Sequence, residues 1–475
     1  MPTTFSIPTG RLDGAWVVSQ HRSAFEALAI EKASDLPFSR LGDLVDVSSG
    51  QYVSGYVPGA EEGATPYLRV DNVRGYVLNL TPGDLAMVSG EASADVPERC
   101  LTQVGDVVIS RTGTLGKAAL AVPQTAGFVL SQHVSRLTPL PDGPVTAPYL
   151  ALCLNAPLGR RTLIAAGAGS TRLELTHASL AEVRVPVAPP DVQREYGEGA
   201  ERALRRYYDA VNALSKLRDE ADGIVFRHTE LLGEGADTPS GPRTYSVPSG
   251  TLGALWTPAN HRPRLLGPLE DIQEAFECVE VGDVAHLVRG KGTRSDDYAE
   301  HGVPFLRTSS LINGSFDPLP DHYAAPETVR RYGQEVEDGD ILFSIEGRIG
   351  MATLLVRECP VVYKNHIERV RVTQTPRGWD PQAFVGWTFL MLSGTLGKLQ
   401  VEANTVVQST ISGLASRLRQ FVVPAQSEQH ADAMRSIGRQ AYDAGAELAR
   451  AAADIGAVQA SFDDYLVSAG AASLD

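Results

Sequence analysis

Apolar residues are spaced in two distinct ways along this 475-residue chain, and the alternation happens twice. From about residue 39 to 140, and again from 279 to 374, apolar runs are short and rich in Val, Ile, Leu, Tyr and Thr. Turn-forming clusters such as SSG, TPGD and RTGT punctuate them, which predicts strands joined by loops. APYLALCLN (from Ala147) and PQAFVGWTFLML (from Pro381) follow these regions and read as helices. A long helix is predicted after each, starting near Asp191 and near Ser427. In the second, Met434, Ala441, Leu448, Ile455 and Phe462 recur seven apart, and Ile437, Ala444, Ala451, Val458 and Tyr465 interleave with them. That heptad pattern predicts a coiled-coil seam, and its alanines allow a partner helix to come close. Leu204, Tyr207, Val211, Leu214, Ala221 and Val225 keep the same register in the first helix, interrupted by Arg218. A helix of about 40 residues would be about 60 Å long.

The second half also repeats the first in order. FSIPTGRLDGAWVVSQHR (Phe5 to Arg22) matches YSVPSGTLGALWTPANHR (Tyr245 to Arg262). LGDLVDVSSG (Leu41 to Gly50) matches VGDVAHLVRG (Val281 to Gly290), and TPYLRVDNVRG from Thr65 matches VPFLRTSSLING from Val303. GDVVISRTGTLGKAAL from Gly105 matches GDILFSIEGRIGMATL from Gly339. SQHVSRL from Ser131 matches KNHIERV from Lys364, pairing His133 with His366 and Arg136 with Arg369. LGRR at Leu158 matches LGKL at Leu396. Matches that keep their order over a whole half indicate duplication of one unit rather than a shared turn. The expected architecture is α+β: two tandem β-rich domains, each followed by a long helix, with the two helices paired as an antiparallel coiled coil in a pseudo-two-fold arrangement. The expected boundaries are 1–186 and 241–424 for the domains, and 187–240 and 425–475 for the helical spacers.

Composition narrows the function. A hydrophobic content of 43% suits a folded protein, and a chain of this length exceeds what one core supports. Cys100, Cys153, Cys278 and Cys359 lie far apart without a CxxC pair, as expected of reduced core residues in a cytoplasmic protein. No apolar run is long enough to span a bilayer and the start has no signal-like apolar core, so no membrane association is expected. GTLGKAA (from Gly113) lacks the glycine spacing and Ser/Thr of a phosphate loop, and GAGSTR (from Gly167) does not fit GxGxxG. APPD (from Ala188) is not the motif of amino-methyltransferases, and HExxH, GxSxG and kinase-type motifs are missing. His133 and His366 read as structural. No catalytic residue, metal ligand or cofactor is assigned, and a non-catalytic role is expected.

The order LGD…G, then P-Y/F-L-R, then GD-hydrophobic-S…G…G, then VP before a long helix, resembles the DNA-specificity subunits of type I restriction-modification systems. The resemblance covers nearly the whole chain in both copies. It implies two target recognition domains, each reading one half of a split double-stranded DNA site. It also implies helical spacers that set the gap and dock DNA methyltransferase subunits, two copies being expected, with a restriction or translocase subunit left open. Loops that reach phosphates and base edges would carry such reading. In the first half the candidates are Gln51, Arg69, Asn72, Arg74, Arg111, Thr112, Thr114, Lys117, Ser170, Thr171 and Arg172. In the second half they are Arg289, Lys291, Arg294, Arg307, Ser309, Ser310, Arg348, Lys364, Asn404 and Thr405.

The paired loops differ where two readers of different sequences would: RTGTLGK against IEGRIGM, and SSGQYVSGY against VRGKGTRSD. Net charge is −15, from 57 acidic and 42 basic side chains, so nonspecific DNA affinity of the isolated chain should be weak. Acidic side chains outnumber basic ones beyond Ser427, away from the candidate loops. Two other classes share these features: an interaction scaffold or acidic DNA mimic that binds no DNA, and an enzyme whose site is split between the halves.

Overall fold

The computed structural model describes residues 18–57, 63–81, 84–113, 115–167, 174–227, 258–292, 297–299, 301–408, 411–414 and 416–470. Most of both repeated openings, with Trp16 and Trp256, lies outside the described residues. The chain divides into two compact units, Met1–Arg205 with Asp454–Asp475, and Arg206–Ala453.

The first unit holds two four-stranded sheets. In one, Val45–Ser49 pairs with Val134–Pro139, which pairs with Val107–Ser110, then Ala118–Leu120, all antiparallel. In the other the order is Tyr56–Val57, Ala86–Val88, Thr65–Leu68 and Val129–Leu130, and the last pair is parallel. The second unit repeats this. Its four-stranded sheet runs Ala285–Arg289, Ile367–Val372, Ile341–Ser344, Ala352–Leu354. Its three-stranded sheet runs Tyr323–Ala324, Val303–Leu306, Val362–Tyr363, and its last pair is again parallel. The matched segments that start at Leu41, Thr65, Gly105 and Ser131 carry equivalent strands in both units.

The repeated motifs have structural causes. In the GD pair, Gly105 and Gly339 both adopt φ +88°, a turn that favours glycine. Asp106 accepts from the Gln103 amide at 2.7 Å and pairs with Arg136 at 3.2 Å. Asp340 accepts from the Glu337 amide at 2.8 Å and pairs with Arg371 at 2.7 Å. These carboxylates are buried, so their partners are what make burial tolerable. In the LG pair, a methyl on Gly159 would sit 2.0 Å from the Cys153 carbonyl oxygen, and one on Gly397 would sit 2.1 Å from that of Leu392. Only glycine lets the two short helices fold back on each other at these points. Those helices are Ala147–Asn155 with Pro157–Ala166, and Pro381–Ser393 with Thr395–Asn404. Asn155 fastens the first pair to its sheet, accepting from the Ala118 amide at 3.2 Å and donating to the Ala118 carbonyl at 2.7 Å.

The long helices span Pro190–Val225 and Ala431–Ser468. The second begins after the expected Ser427, whose hydroxyl instead accepts from the His430 amide at 3.1 Å in the preceding turn. Met434, Ala441, Leu448, Ile455 and Phe462 are all buried, whereas Ala444, Val458 and Tyr465 are half-buried. Within the first unit the two helices meet in an antiparallel sense. Tyr196 packs edge-on against Phe462 at 5.4 Å, and the Gly199 position is nearest Val458. Within the second unit Arg206 pairs with Glu447 at 2.6 Å.

The helices also grip the short helical pairs. In the second unit, a methyl on Gly386 would lie 2.0 Å from the Gly438 carbonyl, and one on Gly438 would lie 2.2 Å from that of Ala383. Arg218, which breaks the heptad, donates to the Ser393 hydroxyl at 3.2 Å, and burial lowers its pKa to about 10 against the pull of Asp222 and Asp219. Asp222 accepts from the Thr395 hydroxyl at 2.5 Å. In the first unit, Gln459 donates to the Leu152 carbonyl at 3.2 Å and to Asp463 at 2.8 Å. The four cysteines are free, with Cys100, Cys153 and Cys359 buried and Cys278 half-buried. Among the described residues no helix is long and apolar enough to cross a membrane, and no cluster of three His, Cys, Asp or Glu side chains forms.

Burial pushes the Asp463 carboxyl up from 3.8 to about 7, with Asp464 adding to the rise and Gln459 and Arg160 opposing it. A folded-state value above the unfolded one means that ionisation opposes folding. This cost is absent below the unfolded value, grows as pH rises through the interval, and is complete above about 7. Asp463→Asn is therefore expected to raise the melting temperature at pH 8 by about 4 °C or more. The gain should shrink toward pH 4, as read by calorimetry across that range.

Candidate nucleic-acid interface

Part of the candidate loops lies where the two sheets of each unit meet. In the first unit, strand Val45–Ser49 ends at Gly50, which packs on the end of strand Val129–Leu130. A methyl at Gly50 would lie 2.0 Å from the Leu130 carbonyl oxygen, and the Gln51 amide donates to that same oxygen at 3.0 Å. In the second unit, a methyl at Gly290 would lie 2.3 Å from the Lys364 carbonyl oxygen, and the Asn365 amide donates to the Lys291 carbonyl at 3.2 Å. One sheet is thus locked onto the other at a point where no side chain fits.

In the first unit Arg111 reaches Ser49, the last residue of the strand that ends at this lock. Arg111 donates through Nε to the Leu175 carbonyl at 2.7 Å and through Nη1 to Ser49 Oγ at 2.8 Å, and pairs with Glu174 at 3.5 Å. Ser49 also bonds Ser135 at 2.8 Å and, more closely, His177 Nε2. Burial and then the Arg111 charge hold the His177 imidazole below its usual pKa, favouring its neutral form. Sequence reasoning missed Ser49, Ser135, Glu174 and His177, because only the strand pairing and the bridge from Thr112 to Glu174 bring them to Arg111. Ser49's place just before the matched glycine was the available signal.

Other first-unit candidates serve the interior. Asn72 is buried, accepts from the Arg69 amide at 2.9 Å and donates to the Asn79 carbonyl at 3.2 Å. Thr112 and Lys117 are also buried. Arg69 is exposed, with Nη2 3.3 Å from the Asp84 carbonyl, and Arg74 is half-buried. Thr114, Ser170, Thr171 and Arg172 lie outside the described residues.

In the second unit, Arg289 donates to the Asn365 carbonyl at 2.6 Å and pairs closely with Glu346, which also accepts from His366 Nδ1 at 2.5 Å when that nitrogen is protonated. Lys291 bridges Lys364 in parallel register. Arg307 bonds His322 at 3.1 Å, and Ser309 is exposed. Ser310 is buried, its hydroxyl 3.4 Å from the Arg307 amide. Arg348 reaches the Leu311 carbonyl at 3.4 Å. Asn404 and Thr405 stand apart at a helix end, bonding the Gln400 and Val401 carbonyls of their own helix. Arg294 lies outside the described residues. Among the candidates, Asn72, Thr112, Lys117 and Ser310 are buried.

The outcome is a protein with two topologically matched sheet-junction sites whose rim side chains differ. No protein-family model matches the chain. It is 25% identical over 191 residues to a curated type I restriction enzyme specificity subunit of Haemophilus influenzae, covering 39% of this chain. The chain spans 40% of the length of that relative. It is also similar to the solved type I restriction-modification S subunit of M. genitalium, at 14% identity over 95% of this chain and 100% of that one, with a TM-score of 0.37. The HsdS subunit of Thermoanaerobacter tengcongensis is 16% identical over 94% of this chain and 100% of that one, with a TM-score of 0.29. Over those 191 residues the chain is similar to a type I specificity subunit, the family that its motif order resembles.

The lock is directly testable. Gly290→Ala forces a backbone carbonyl to move and is expected to cost about 1–3 kcal/mol, as overpacking does. Gly292→Ala, two residues on, meets nothing within 4 Å and should leave the denaturation midpoint unchanged.

Proposed function

We propose that this chain is the sequence-reading subunit of a DNA-modifying complex, recognising a bipartite site in double-stranded DNA and directing methyltransferase subunits to it. Residues 1–186 and 241–424 would be the target recognition domains, and 187–240 and 425–475 the helical spacers that pair as an antiparallel coiled coil. The observation that carries this reading is the pair of matched sheet junctions. Both keep the same glycine lock and strand register, yet they present different side chains at their rims, Gln51 and Tyr52 against Lys291 and Gly292. A duplicated frame with diversified rims suits two readers of unlike half-sites. Phosphate contacts would set register, and side chains at base edges would set sequence. The relationship to type I specificity subunits supports this role, with the chemistry of methylation supplied by partner subunits.

Methylation-aware sequencing of the native genome should find one split motif modified, and deletion of this gene should abolish that modification. Exchange of residues 39–140 for those of a relative should change one half of the motif and leave the other. Absence of any split motif would overturn the assignment. The net charge of −15 favours an interaction scaffold or DNA mimic instead, and an exchange that leaves the modified sequence unchanged would move the assignment there.

A further inference from the structure

The two junctions are equivalent in backbone but opposite in chemistry. Lys291 and Lys364 sit directly across a parallel bridge, and among the described residues neither has an ion-pair partner. Like charges set opposite each other on neighbouring strands repel, and the arrangement is costly unless an anion lies between them. Arg289 beside them is already neutralised by Glu346. An unpaired lysine couple on a chain of net charge −15 is therefore a local exception to the surrounding field.

The same two positions in the first unit are Gln51 and Ser131, neither of them charged. The rim there is aromatic instead. Tyr52 is 65% exposed and Tyr56 is 52% exposed, which among the described residues makes them, with Phe25, the most open aromatic rings of this unit. Tyr56 stands edge-on to Tyr67 at 5.7 Å, which holds its ring upright, and the Tyr67 hydroxyl donates to the Gln51 carbonyl at 3.0 Å. Strand register equates Tyr56 with Tyr298 and Tyr67 with Phe305, and that pair repeats the edge contact at 5.1 Å. In the second unit, however, the ring is covered: His322 stacks on Tyr298 at 4.5 Å, and Arg307 bonds His322. One junction therefore offers two open aromatic faces and no cation pair, while the other offers a cation pair and a covered aromatic.

We infer that the two junctions divide the work of binding DNA, Lys291 and Lys364 clamping a backbone phosphate in the second half and Tyr52 and Tyr56 making neutral, sequence-sensing contacts with bases in the first. This rests on the DNA-reading role proposed above and adds to it which half supplies the phosphate hold and which the neutral aromatic contacts. Phosphate clamping releases counterions and so shows in the salt dependence of affinity. Contact between a tyrosine ring and a thymine methyl in the major groove shows in base preference and, because it neutralises no phosphate, adds nothing to the salt slope.

The test uses the full chain with its methyltransferase subunits. A duplex selected from a randomised library is bound at a series of salt concentrations. Lys291→Gln with Lys364→Gln is expected to reduce the slope of log K against log salt by about 0.9 for each phosphate that is no longer neutralised, with base preference in both half-sites kept. Tyr52→Ser with Tyr56→Ser is expected to leave that slope unchanged, to weaken binding about tenfold, and to relax base preference in one half-site only. Gln51→Lys, which adds a cation to the rim of the neutral junction, is expected to steepen the slope. All variants should stay folded, the lysine variant melting at or slightly above the wild-type temperature because the repulsion is removed, and the tyrosine variant slightly below it because Tyr56 loses its edge contact with Tyr67. An unchanged slope in the lysine variant, or a slope lowered equally by the tyrosine variant, would overturn the division of labour while leaving the DNA-reading role intact. Failure of the wild-type complex to select any bipartite duplex would overturn the DNA-reading role itself.

Discussion

In each unit, the end of one sheet is pressed so closely onto a carbonyl at the end of the other that the residue between them must lack a side chain. Gly50 on Leu130 in the first unit, and Gly290 on Lys364 in the second, each bring together the ends of two sheets of their own unit. Gln51 lies next to this contact in the first unit, and Lys291, Lys364 and Arg289 lie next to it in the second. A backbone-to-backbone lock has a further property, since it makes no use of the neighbouring side chains. The residues after the glycine can change from Gln-Tyr to Lys-Gly without disturbing the frame. A rigid junction with replaceable rims is what a protein needs if its two halves are to answer different targets.

The helical parts follow the same logic of close approach. Glycines at the LG turns and at the crossing of Gly386 with Gly438 let helices touch through their backbones, and in the second unit this seats the stretch of the second long helix around Gly438 on the short pair. Polar groups buried at these contacts, among them Arg218, Asp222, Gln459 and Asp463, cost more to bury than apolar ones and are held by specific partners. Such groups fix where a helix sits along its partner, a choice that an alanine-rich seam leaves weakly determined.

The candidate site was legible in part. Reading the matched loops placed Gln51, Arg111, Arg289, Lys291 and Lys364 at the junctions, because the loops flank strands whose apolar pattern is plain. Asn72, Thr112, Lys117 and Ser310, polar in the same loops, turn out to be buried. A polar residue in a Gly-rich loop looks exposed in one dimension, and only the packing shows that Asn72 closes a turn on the Arg69 and Asn79 backbones. The open faces of Tyr52 and Tyr56 were hidden for the converse reason. Aromatic residues beside a strand read as core, and their exposure depends on the absence of a covering ring such as His322.

By itself the sequence determined the duplication, the strand-rich and helical stretches, the long helices with their buried heptad positions, and the structural glycines. These follow from local periodicity and from residue types that tolerate few environments. It could not determine which of the matched loops become neighbours, which polar side chains turn inward, or that Ser49, Ser135 and His177 converge on Arg111. Those depend on pairings between strands far apart in the chain, such as Val45–Ser49 with Val134–Pro139. The difference between the two junctions, cationic in one unit and aromatic in the other, was written in the residues. Only the fold made them equivalent positions, because equivalence is a property of register, and register is set when distant strands hydrogen-bond.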